Sequence, residues 1–159
     1  MKKFMVVSGF LGAGKTTTMI ALSKEINSRG QKSSIIANDP GAKNLVDRLR
    51  RLLDYEKNDF VMSDIPGCGV GALDHVYFKL NAEYHGEFDL APFTVVADPE
   101  RLRTIMPEQA DINLPQEMNY LFRSQLMEAD VILLNKIDLL TEEQVASYMD
   151  FLKGIPAAV

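Results

Sequence analysis

Gly9-Phe10-Leu11-Gly12-Ala13-Gly14-Lys15-Thr16 fits G-x-x-x-x-G-K-[ST] without a gap. Such a loop is built to wrap a polyphosphate. Gly9, Gly12 and Gly14 permit positive φ angles and let backbone N–H groups crowd against phosphate oxygens. The amides of residues 12 to 17, Ala13 and Thr17 among them, form the cradle. Lys15 supplies a point charge for the β- and γ-phosphates, and the Thr16 hydroxyl suits Mg²⁺. The helix that begins near Lys15 aims its N-terminal dipole at the anion. The competing reading is a glycine-rich turn with a chance Lys-Thr. Context argues against it. Lys3 to Ser8 reads as a buried strand, and Thr17 to Arg29 as a helix closed by Gly30.

Working outward, apolar strands alternate with helical stretches. Strands are expected at 33–38, 60–63 (ending at Asp64), 93–97 and 131–134. Helices are expected at 43–53, 72–80 and 116–128, with a last one capped by Thr141. The 43–53 helix is amphipathic, with Leu45, Val46, Leu49, Leu52 and Leu53 on one side. This alternation implies right-handed βαβ crossovers. It predicts an α/β fold with a mostly parallel sheet flanked by helices, the three-layer P-loop NTPase arrangement. Ligands in such sheets bind beyond the carboxyl ends of the strands. The polar residues fall there: Gly9 to Thr16, Asn38-Asp39, Asp64, Asp98 and Asn135 to Asp138. Gly154 to Val159 resembles the start of a further strand, so the fold is expected to be truncated at the C-terminus.

A chain of 159 residues suffices for one domain spanning 1–159. Apolar content of 47% and charged content of 25% suit a soluble protein. The net charge of −5 offers no basic excess for a nucleic-acid partner. One cysteine excludes an internal disulfide and fits a reducing compartment. No apolar run approaches the ~20 residues a membrane span requires. The chain enters a strand almost at once, so no signal peptide is expected and cytoplasm is the default.

Asn135-Lys136-Ile137-Asp138 follows the 131–134 strand directly and fits N-K-x-D, a guanine-reading element. A carboxylate at Asp138 accepts from the N1–H and exocyclic amine of guanine, whereas adenine presents an acceptor at N1. The Lys136 stem can lie along the base plane, and the Asn135 amide can tie this loop to the phosphate loop. GTP is therefore expected over ATP. Asp64-Ile65-Pro66-Gly67 fits D-x-x-G at a strand end, where an acid holds Mg²⁺ and the glycine senses the γ-phosphate. Pro-Gly is also a turn signal in its own right. Asn38-Asp39-Pro40-Gly41 has the same dual character: Asp39 either reaches the metal or orients water, or it starts a turn.

Together these elements resemble the CobW/HypB/UreG family within the SIMIBI class of P-loop GTPases. Ser8 to Thr17 is similar to that family's phosphate loop almost letter for letter. The similarity continues through Asn38-Asp39, Val95 to Leu102 and Leu121 to Leu140. The resemblance implies a Mg-dependent GTPase that delivers or gates nickel, zinc or a cobalt-containing cofactor such as cobalamin. It implies a nucleotide-controlled homodimer and a metalloenzyme or corrinoid-protein client. The family's Cys-x-Cys-Cys metal element is missing: the 39–63 interval holds no cysteine, and Cys68 lies after Asp64. A lone thiolate makes a poor zinc or nickel site.

The remaining polar residues read more blandly. His75 and His85 stand ten apart with no ligand partners at metal spacing. Arg48, Arg50 and Arg51 are flanked by Asp47 and Asp54, the pattern of a solvated helix face. Arg101 and Arg103 are candidates for a trans-acting arginine finger, against ordinary surface solvation. The resulting expectation is a slow GTPase switch using Lys15, Asp39 and Asp64 on the phosphates, metal and water. The alternatives are an ATP-using small-molecule kinase and a non-hydrolysing nucleotide-binding module.

Overall fold

A computed structural model describes residues 2–37, 42–64, 78, 82, 86, 88–107 and 115–156. Its strands are β1 (Lys3–Gly9), β2 (Ser33–Ile36), β3 (Phe60–Asp64), β4 (Asp89–Leu90), β5 (Thr94–Ala97) and β6 (Val131–Leu134). Its helices are α1 (Lys15–Ser28), α2 (Ala42–Arg50), α3 (Pro99–Ile105), α4 (Gln116–Met127) and α5 (Glu142–Lys153). The strands lie in the order β2-β3-β1-β5-β6, with β4 also on β1, and every pairing is parallel. This is the α/β arrangement that the alternating sequence predicts.

Period-two alternation assigns the faces. Phe4 and Val6 of β1, Val61 of β3, and Val95 and Ala97 of β5 pack on one side with Leu45, Leu49, Leu102, Phe122 and Leu126. Val7, Met62 and Val96 point to the other side, against Met19 and Ile26 of α1. Each fully buried side chain of this size contributes about 1.5–3 kcal/mol by leaving water. The sheet is thus clamped between α1 on one face and α2 to α5 on the other. On β6, Ile132 and Leu134 join the larger cluster, while Val131 and Leu133 are each 39% exposed.

Several local features depart from the sequence reading, the unexpected helix α3 among them. The 43–53 helix stops at Arg50 and widens into a π-type turn over Arg51–Tyr55, where the Glu56 N–H donates to the Arg51 carbonyl at 3.1 Å. Buried Asn58 closes it: its backbone N–H and its side-chain Nδ2 both donate to the Leu52 carbonyl. The two-residue β4 was not foreseen. Lys3 pairs with Asp89 and Phe4 with Leu90, but Val7 pairs with Thr94, so this edge carries one residue more than β1. Pro92 lies in the gap and has no N–H for the ladder, which suits a bulge. The Asp130 carboxylate pins the far side by accepting from the Phe93 N–H at 2.7 Å. Lastly, Gly154 to Pro156 form no strand, and 157–159 lie outside the described residues.

Candidate functional site

The carboxyl ends of β1, β3, β5 and β6 converge on one rim. The register pairs Val7 with Asp64, Gly9 with Val96, and Ala97 with Leu134. The chain therefore leaves β1 into the glycine loop with the β3 acid beside it and the β5 and β6 ends on the other flank. Gly9, Gly12 and Gly14 have φ of 142°, 82° and 98°. At Gly9 a Cβ would collide with the Val96 carbonyl, and at Gly14 with the Asn135 amide; at Gly12 it would meet nothing within 4 Å. Two of the glycines are thus demanded by close packing, and the third by its backbone alone.

Gly14 begins α1 without a side-chain cap, whereas Asp98 caps α3 and Thr141 caps α5. The first-turn amides of α1 are therefore available to an anion. Thr16 and Thr17 are exposed on that turn. Lys15 folds back over the loop, its Nζ donating to the carbonyls of Gly9 at 2.8 Å and Phe10 at 3.2 Å. A phosphate would compete for that ammonium group.

Asp64 is 6% exposed, and its Oδ1 is buried without a hydrogen-bond partner. Burial pushes its carboxyl above the usual carboxylate range, and the Lys15 charge pulls it back in part. An acid in this position invites a cation. With the Thr16 hydroxyl near the start of α1, the donors present are oxygens, the chemistry Mg²⁺ prefers.

The β6 end carries the second loop. The Asn135 N–H donates to Ala97 at 2.8 Å, and its side-chain Nδ2 donates to the Ala13 carbonyl at 2.9 Å. The two loops are thereby fastened together, the link expected of Asn135. Lys136 takes a left-handed φ of 56°, turning the chain into a short 3₁₀ segment, Ile137–Leu139, that leaves Asp138 exposed. Asp39, with Asn38 and Gly41, lies outside the described residues, as do Ile65 to Gly67, Cys68, His75, His85 and the expected 72–80 helix apart from Phe78, which is helical. Among the described residues no three His, Cys, Asp or Glu side chains gather as metal ligands. Arg101 and Arg103 lie exposed on α3, the helix that follows β5.

Several supporting residues escaped the sequence reading. Ser8 and Gln125 form a buried hydrogen bond, and Phe10 stands edge-on to Phe122. Arg123 donates to the Ile105 carbonyl at 2.6 Å, tying α4 to the end of α3. The available signal was positional: Gln125 lies three and one residues from Phe122 and Leu126, on an otherwise apolar helix face.

A parallel sheet, a positive-φ glycine loop opening an uncapped helix and a fastened second loop define the P-loop class of nucleotide-binding proteins. The profile of the CobW/HypB/UreG nucleotide-binding domain matches residues 3–49 and 41–157, and the chain belongs to that family. A 63-residue stretch is also 35% identical to a thymidylate kinase of Buchnera aphidicola subsp. Baizongia pistaciae (strain Bp). That stretch covers 39% of this chain and 30% of that protein. No helix among the described residues is long and apolar enough to cross a membrane.

Proposed function

We propose that residues 1–159 act as a single nucleotide-binding domain, a slow Mg-dependent GTPase switch of the CobW/HypB/UreG type. The observation that carries this reading is the Asn135–Ala13 bond. It sets a phosphate-wrapping loop and a guanine-type loop at fixed spacing, so one ligand spanning both would feel them together. The backbone amides of residues 12 to 17 hold the phosphate oxygens, with Gly9, Gly12 and Gly14 shaping the ring. Lys15 leaves the Gly9 and Phe10 carbonyls for the β- and γ-phosphates. Asp138 reads the guanine edge, Lys136 lies along the base plane and Asn135 keeps the two loops in register. Thr16 and Asp64 would hold Mg²⁺, which neutralises charge on the transferred phosphoryl group. Asp39 is assigned to metal or water placement from its sequence position. Water attacks the γ-phosphate in line, and the cradle meets the charge that develops.

No strong general base stands among these residues, which favours slow turnover and a switching role. In this reading nucleotide state controls a homodimer or docking onto a metalloenzyme or corrinoid-protein client. Family membership supports that assignment. Carriage of a metal by this chain is not part of it, because the Cys-x-Cys-Cys element is missing. The likeness to a thymidylate kinase favours a second reading, phosphoryl transfer from ATP to a nucleoside monophosphate. Thermal melts with GTP, ATP and GDP, with and without Mg²⁺, separate the two, since a bound ligand raises the melting temperature by mass action. A Mg-dependent GTP shift with phosphate release supports the switch. An ATP-only shift, with thymidylate converted to its diphosphate, would replace it with the kinase.

A further inference from the structure

Gly9, the first residue of the phosphate loop, is gripped from both sides by one helix. Ser8 precedes it and is fully buried; its Oγ accepts from Gln125 Nε2 at 2.7 Å, and Gln125 is 1% exposed. Phe10 follows it and packs edge-to-face on Phe122, one turn earlier on α4. Between these contacts lies a small apolar cavity of about 20 Å³, bordered by Leu102 and Ile105 of α3. Its size admits no ligand larger than a water molecule. Buried polar pairs are costly when incomplete, so a lone Gln–Ser bond inside an apolar layer fixes geometry more than it adds stability. What it fixes is Gly9, whose carbonyl holds Lys15 and whose missing Cβ lets the loop lie on Val96. The far end of α4 runs through Asp130 into β6 and so to Asn135.

We infer that Gln125 and Phe122 are positioning residues. Through Ser8 and Phe10 they set the conformation of Gly9 and hence the aim of the loop amides at the phosphate tail. α4 thereby couples the phosphate loop to the strand that carries the base loop. The inference rests on the nucleotide reading above.

The test separates aim from stability. Ser8→Ala and Gln125→Leu each strand one buried polar group and lower the melting temperature. The double variant strands none and regains most of it, because removing both partners with similar shape is nearly neutral. Calorimetric titration with Mg·GTP and Mg·ATP then reads the loop. Tenfold or weaker triphosphate binding should persist in the double variant although its stability has returned. Phe10→Leu, which orphans no polar atom, should weaken binding about fivefold with little change in melting temperature. Wild-type affinity in the double variant, or in Phe10→Leu, overturns the inference and leaves the pair a packing detail. A wild-type protein that binds neither triphosphate overturns the nucleotide reading itself, and this inference with it.

Discussion

Alanine at Gly14 should cost less when Asn135 has already been removed. Gly14 has a φ of 98°, so any L side chain there carries strain of roughly 1–2 kcal/mol. The new Cβ would also strike the Asn135 amide. That amide is the end of a rotatable side chain, so it gives way, and the bond to Ala13 is lost with it. Ala13 is buried, so stranding its carbonyl adds about 1–3 kcal/mol. Gly14→Ala alone then costs about 2–5 kcal/mol by these two contributions. Asn135→Ala alone removes the same bond and costs about 1–3 kcal/mol. The double variant loses the bond only once, so its cost falls short of the sum by about 1–3 kcal/mol. Urea unfolding of the four proteins measures this coupling directly. In thermal melts each kcal/mol appears as roughly 2–4 °C for a chain of this length. Costs that add to within about 0.5 kcal/mol would show that the two loops are not fastened as described.

Asp64→Asn should stabilise the nucleotide-free protein at neutral pH while removing the Mg²⁺ dependence of its nucleotide shift; melts with GTP and EDTA read both. The sign follows from burial. The folded carboxyl titrates above its unfolded value, so the folded state binds the proton more tightly and this contribution to stability is present at low pH. It is lost as pH rises from the ordinary carboxylate range through the raised folded value, and a stability that instead rises with pH in Asp64-dependent fashion would contradict the assignment. Asp138→Ala should abolish preference for guanine over adenine triphosphate by at least tenfold with an unchanged melt, because the side chain is exposed; competition binding decides it. Thr141→Ala removes the capping box formed with Gln144 and should cost about 1 kcal/mol, a drop of roughly 2–4 °C, with nucleotide affinity intact.

What the sequence made legible was local chemistry placed at strand ends. The phosphate loop needs its glycines for backbone reasons that follow from residue type, and its Lys-Thr follows at fixed offset. Asn135 to Asp138 follow an apolar strand whose four residues are found where expected. Asp64 was placed correctly at the end of β3, but its orphaned Oδ1 and raised pKa depend on packing that no spacing displays. β4 stayed hidden because two residues beside a proline give no periodicity, and the extra residue there is visible only in the register against β1. Gln125 stayed hidden for the opposite reason. A glutamine on a helix reads as surface, and its partner Ser8 lies 117 positions away. No helix was expected at α3, although Asp98-Pro99 is a cap followed by a proline at the first helical position.

In the proposed function the Gly9–Thr16 loop and the Asn135–Asp138 loop are two halves of one guanine triphosphate site. Backbone amide NMR during titration with Mg·GTP tests it most directly. Resonances of residues 12–17 and 135–138 should shift together along one binding curve, with GDP perturbing both loops and ATP sparing the second. Shifts confined to one loop, or absent from both at saturating nucleotide, would contradict it.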